Sequence, residues 1–155
     1  MKMYFKILLT VLIVFTLESC ALRPIASQYD YQKNKIENVT LNKLGDGRIL
    51  IYNGANGLHK IDNTARINMW IDDKPMGQIR AREYGIIELQ EGEYEFYLVH
   101  IDLFKFKSTF KIEVNNKTKV IRIEPTAISN DMNITNKLPS KFEKYRYVQN
   151  SNKDF

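Results

Sequence analysis

Residues 65–98 read ARINMWIDDKPMGQIRAREYGIIELQEGEYEFYL, a series of short alternating runs broken by turn signals. In an extended chain successive side chains point to opposite faces. Ala65, Ile67, Met69 and Ile71 therefore share one side, and Arg66, Asn68, Trp70 and Asp72 the other. That alternation predicts a half-buried strand. Asp72-Asp73-Lys74-Pro75 is a polar turn, and Met76 to Arg80 is a short return strand interrupted by Gly77. The pair reads as a β-hairpin whose connection is slightly longer than the two-residue ideal. Tyr84 to Leu89 is the next strand, and Glu91-Gly92 the next turn. Tyr94, Phe96 and Leu98 then line one face of a further strand, with Glu93, Glu95 and Tyr97 opposite. Short strands at regular intervals predict an all-β chain: a small antiparallel β-sandwich of about seven strands.

Outward from this stretch the pattern continues. Gly45-Asp46-Gly47 marks a turn. Arg48 to Tyr52 (RILIY) is almost continuously apolar, as expected of a central strand covered on both faces. Residues 53–64, with Gly54, Gly57 and His59, read as a surface connection. On the other side, His100 to Leu103 reads as a bend. Phe104, Phe106, Ser108, Phe110, Ile112 and Val114 then alternate strictly with Lys105, Lys107, Thr109, Lys111 and Glu113. Phe104, Phe106 and Phe110 are expected to face the core beside Tyr94, Phe96 and Leu98, with the lysines in solvent. Asn115-Asn116 is expected to turn a hairpin, with Lys119 to Glu124 returning and Pro125 ending the strand. The sandwich domain is thus assigned to residues 45–126, and residues 127–155 form a C-terminal extension. Ser140 and Glu143 fit a capping box, which predicts a short helix over 141–148. Tyr145 and Tyr147 also fit a strand. Residues 149–155 are expected to fray.

The order of the central stretch, an alternating strand, Asp72-Asp73-Lys74-Pro75-Met76-Gly77, Glu83-Tyr84, a strand and Glu91-Gly92-Glu93-Tyr94, resembles an uncharacterised family of bacterial lipoproteins. Their domain of unknown function is similar in style to PEGA-type and transthyretin-like sandwiches. The resemblance covers roughly residues 47–124 and implies the fold, with little said about activity.

The N-terminus carries a second resemblance. Lys2 and Lys6 precede the apolar run Ile7 to Phe15, followed by Leu17-Glu18-Ser19-Cys20. A basic start and a short apolar run describe a secretory signal peptide over residues 1–19, and the run is short of the ~20 residues that span a bilayer. The ending resembles a bacterial lipobox, with Glu18 where a small or apolar residue is usual. It implies cleavage after Ser19, a thioether-linked diacylglycerol on Cys20 and acylation of the new amine. Ala21 at the next position favours the outer membrane. Residues 20–44, polar and weakly patterned, read as a lipidated N-terminus and tether, with a short helix or strand within 38–43. The single cysteine excludes an internal disulfide. Loss of Lys2, Lys6 and Glu18 with the leader turns the whole chain's +5 charge into +4.

Composition and motifs narrow the chemistry. The positive charges are spread along the chain without a basic stripe or a nucleic-acid motif, so no nucleic-acid partner is expected. His59 and His100 fall in separate predicted loops and are expected to be solvent-exposed; no ligand set at zinc spacing is present. There is no Gly-rich phosphate loop and no nucleophile elbow, and Asp72-Asp73 reads as turn chemistry. No metal, no cofactor and no catalytic residue is therefore expected, and the chain is read as a non-enzyme. The leading expectation is a lipid-anchored binding or assembly module of the bacterial cell envelope, attached to the membrane through Cys20, with an envelope protein or glycan as partner. The alternative is a small inhibitor or immunity-type lipoprotein, for which the +4 charge is unhelpful against basic enzymes.

Overall fold

The computed structural model describes residues 22–55, 65–102 and 104–148. The leader, Cys20, His59, Leu103 and the tail after Val148 lie outside the described residues.

Among the described residues nine strands form two packed sheets: β1 (Arg48–Asn53), β2 (Ile67–Ile71), β3 (Lys74–Ile79), β4 (Glu83–Glu88), β5 (Gly92–Ile101), β6 (Lys105–Val114), β7 (Val120–Pro125), β8 (Asn130–Ile134) and β9 (Arg146–Tyr147). The first sheet has the order β8-β7-β1-β4-β9 and the second β3-β2-β5-β6. This is the all-β sandwich that the alternation predicts. β2 and β3 form a tighter hairpin than expected. Asp72 and Asp73 alone make the turn, at φ 46° and 62°, the left-handed pair that matches strand twist. The register shifts between Met69 and Trp70, where the return strand carries one extra residue.

The first sheet is not wholly antiparallel. β7 does not return as a hairpin beside β6 but crosses to the other sheet and pairs parallel with β1, Leu50 opposite Val120. The reason is burial on both faces: Val120, Ile121 and Ile123 are all inaccessible, and a partner at the β6 edge would leave one face in water. Asn115 turns the chain, its carboxamide oxygen accepting from Lys117 N at 2.9 Å, and Asp46 N donates to Asn116 O. β1 is central, as its apolar run predicts. Ile49 and Ile51 face the second sheet, while Leu50 and Tyr52 face a second cluster with Ile86 and Val120 on the outer side. That outer side is covered by Val39, Leu41 and Leu44 from before β1 and by Leu138, Phe142 and Tyr145 from after β8.

The described residues on both sides of the expected domain therefore belong to the sandwich. Beyond residue 126, β8 pairs with β7 and β9 pairs parallel with β4. The helix expected over 141–148 is instead a single 3-10 turn, Phe142–Lys144, followed by β9. Ser140 caps nothing: Lys141 occupies the cap position, in the left-handed region at φ 58° and with no side-chain cap bond. Aromatic packing outweighs helix formation here, with Phe142 4.8 Å and Tyr147 5.2 Å from the Tyr84 ring.

Of the region read as a tether, residues 22–34 are docked. Asn68 Nδ2 donates to Arg23 O at 2.8 Å and Gln78 Nε2 to Leu22 O at 3.1 Å. Gln28 N donates to Pro75 O. The chain then turns into helix α1 (Tyr31–Asn34), capped by Asp30, whose side chain accepts from Lys33 N. Tyr31 enters the gap between the sheets, only 3% exposed, and its hydroxyl donates to Met76 O. Tyr147 Oη in turn donates to Tyr31 O at 2.9 Å. Two glycines make room for this segment. A Cβ on Gly77 would sit 3.3 Å from Ser27 Cβ, and one on Gly85 only 2.9 Å from Tyr31 Cε1. Residues from Leu22 onward thus pack on a sandwich that the sequence assigns to residues 45–126.

The Phe strand departs from expectation in degree. Phe106 and Phe110 point inward opposite His100 and Phe96 but are half-buried, and Phe104 is 72% exposed. β6 is the outer strand of its sheet, so its inner face is only partly covered by β8, and Phe104 lies past the last pair of the ladder. His100, expected in an exposed bend, lies within β5 and is 1% exposed. The Asn130 amide nitrogen donates to Ser108 Oγ at 3.1 Å, so its oxygen faces His100 Nδ1, which donates across 2.8 Å.

Candidate functional site

The outer face of the first sheet carries, at one end, a polar cleft of about 350 Å³. Its floor comes from neighbouring strands, since Tyr52 of β1 and Arg122 of β7 are partners in the parallel ladder. Alternation explains why Arg122 is there: Ile121 and Ile123 point into the core, so Arg122 must point out. Gly54 and Ala55 continue from β1, and Arg82 comes from the β3–β4 turn. Pro139, Ser140, Lys141, Lys144 and Tyr145 form the far wall.

The local geometry holds these groups in place. Asn53, wholly buried, donates to Ala65 O at 2.7 Å and Ile79 O at 3.1 Å and accepts from Ala55 N, which ties the cleft floor to both sheets. Arg82 N donates to Asn53 O, and Arg146 N to Arg82 O. Arg82 and Lys141 both sit in the left-handed region, at φ 58°, a conformation uncommon for such residues outside turns and functional sites. Gly54 has a steric role. A Cβ there would lie 2.5 Å from Arg122 Nε and 3.2 Å from its Cδ, so the bare backbone is what lets the arginine lie across it.

Four cations meet in this cleft. Arg122 pairs with Glu124. Among the described residues no acidic side chain pairs with Arg82, Lys141 or Lys144. Tyr52 and Tyr145 pack edge to face at 5.6 Å between them. Burial raises the pKa of both phenols above the ordinary value, and the nearby guanidiniums oppose that rise. Both remain protonated donors at neutral pH. Two guanidiniums, two ammoniums and two phenols around one hollow suit a carboxylate, phosphate or sulfate group. Among the described residues the lining holds no His, Asp or Glu. A second hollow of about 830 Å³, between residues 42–48 and 88–91, mixes Asp46, Glu88 and Glu91 with Lys43 and Arg48, and has no such preference.

The structure places the other expected residues as follows. Cys20 lies outside the described residues. Asp72 and Asp73 make the turn, and the Asp72 carboxylate accepts from Glu95 N at 2.8 Å. Among the described residues no group of three or more His, Cys, Asp or Glu side chains is placed to hold a metal, and no helix is long and apolar enough to cross a membrane. Sequence reading does not find the cleft, because its cations come from turns and strands far apart in the chain, and no spacing links Arg82 to Arg122 or Lys141. No family model matches this chain, and no curated protein or solved structure matches it.

Proposed function

We propose that the protein is a lipid-anchored, non-enzymatic module of the bacterial cell envelope that binds an anionic group on a partner protein, glycan or small molecule. Three features support this reading: the signal-like leader ending in Cys20, the resemblance of the central stretch to bacterial lipoproteins, and the basic cleft. The cleft carries the binding part, because Arg82, Lys141 and Lys144 face it without an acidic partner among the described residues. The outer membrane is the proposed address.

Titration of the protein with inorganic phosphate, followed by amide chemical shifts, tests the binding reading. The expected result is saturable shifts at Gly54, Arg82, Arg122 and Ser140 that weaken as salt is raised. A hydrogen bond to a charged group contributes about 1.5–3 kcal/mol, so Arg82→Gln should weaken binding about tenfold or more. Shifts spread over all lysines and arginines, with no saturation and no effect of Arg82→Gln, would reject the cleft as a site.

A further inference from the structure

Three large hydrophobic side chains are exposed among the described residues, and two of them, Phe104 at 72% and Ile128 at 82%, share one end of the sandwich. Phe104 follows the tip of the β5–β6 hairpin, beyond the Ile101–Lys105 pair. Ile128 sits in the turn between β7 and β8, closed by Thr126 N donating to Ser129 O. The two tips are tied together. His100 Nδ1 meets Asn130 Oδ1 at 2.8 Å, Asn130 N donates to Ser108 Oγ, and Ser108 and Ser129 hydroxyls lie 3.2 Å apart. Lys105 directly follows Phe104 and Lys107 is three positions on, both exposed and without an acidic partner among the described residues; Asp102 is the exposed acid of the tip.

The chain's N-terminal segment leads to this same end. Leu22 O and Arg23 O are held at the level of Gln78 and Asn68, and Asn68 pairs with Val99, three residues short of the β5–β6 tip. Gln28 is held at Pro75, opposite Trp70 and further from that tip. From residue 23 to residue 28 the segment shifts two strand positions away from the tip, so the described residue nearest Cys20 is held on the tip's side of the segment. Cys20 is two residues before Leu22, a reach of at most about 7 Å. The tip is about 10 Å from the Asn68–Val99 pair at the rise of a strand.

We infer that the end bearing Phe104 and Ile128 is a membrane-docking surface, inserted into the interface of the bilayer that holds the acyl chains of Cys20. This rests on the lipid-anchor reading above. Apolar side chains next to lysines suit the boundary between headgroups and acyl chains, with lysines favouring anionic lipid. An anchor attached this close holds the tips at the bilayer continuously, so even weak insertion is populated. The docked segment thus orients the domain.

The test uses the full-length, membrane-extracted protein in vesicles of phosphatidylethanolamine and phosphatidylglycerol. Phe104→Trp and Ile128→Trp are each made in a Trp70→Phe background, and both positions are exposed enough to accept the larger ring. The expected result is blue-shifted emission at both positions, with quenching by nitroxides placed just below the headgroups. Trp70 of the wild-type protein, on the second sheet opposite Tyr97 and about 16 Å from the tip, should be quenched far less. The mass of the N-terminal peptide is read from the same sample. Acylated Cys20 with solvent-like, unquenched emission at both positions would overturn the docking surface and leave the anchor standing. A dimer with unquenched tips assigns that end to a second copy and overturns it as well. An unmodified Cys20 would remove the anchor and the docking together. If one variant does not fold, the other decides.

Discussion

The docking of Tyr31 onto Gly85 yields the most quantitative prediction. The Tyr31 ring is 3% exposed and fills the gap between the sheets, and its hydroxyl satisfies the Met76 carbonyl. Removing a buried aromatic ring typically costs about 3–5 kcal/mol. A domain of this size has only about 5–15 kcal/mol of stability in all, so Tyr31→Ala should bring the domain near its unfolding threshold. Gly85→Ala acts on the same contact from the other side, since its Cβ would lie 2.9 Å from Tyr31 Cε1 and 3.2 Å from Val148 Cγ2. Overpacking of that kind costs about 1–3 kcal/mol. With the ring gone, the new methyl group fills vacated space, and alanine restricts the unfolded chain more than glycine does, so the cost of Gly85→Ala should fall to near zero. Urea melts of the wild type, both single variants and the double variant give the coupling, expected at about 1–3 kcal/mol. A Tyr31→Ala variant within about 0.5 kcal/mol of wild type, or a Gly85→Ala cost independent of Tyr31, would refute the docking and restore a free tether.

Other predictions follow from single sites. Asn53→Ala leaves the Ala65 and Ile79 carbonyls buried without their donor; at about 1–3 kcal/mol for each unsatisfied group, denaturant melts should show a loss of at least ~2 kcal/mol. Phe106 is half-buried and stacks on His100 at 5.0 Å. Phe106→Ala should therefore cost less than the ~3–5 kcal/mol of a fully buried ring, while Lys107→Ala stays within about 0.5 kcal/mol. Burial raises the Tyr29 and Tyr147 phenols from 10.0 to about 12, and raises Tyr31 further. The folded state thus keeps protons that the unfolded state gives up. The stability from these groups is fully present below pH 10 and is lost as pH climbs from about 10 to 12. Thermal melts across that range should fall steeply for the wild type and less steeply for Tyr147→Phe.

The strands of residues 65–98 are legible because each buries one face, and a period of two is then written directly in the residues. The central position of β1 is legible for a related reason: an apolar residue at nearly every place needs cover on both sides. The path of β7 is not. VIRI fits a hairpin return and a buried parallel strand equally well, and only the packing of Val120 against Leu50 and Leu44 separates them. The docking of Tyr31 is hidden because one aromatic ring in a polar segment has no period. Its counterpart Gly85 lies 54 positions away, within the strand read from Tyr84 to Leu89. The cleft is hidden because its cations meet only after folding. Ser140 and Glu143 point the other way, where a local capping pattern gives way to aromatic packing on Tyr84.

Membrane attachment through Cys20 tests the proposed function most directly. Cells producing the wild-type protein or Cys20→Ala are grown with a labelled fatty acid, fractionated and washed with high salt. The lipid-anchor reading predicts label on the wild-type protein, its retention in the membrane fraction, and the loss of both in Cys20→Ala. Wild-type protein that carries no label and washes free would contradict it.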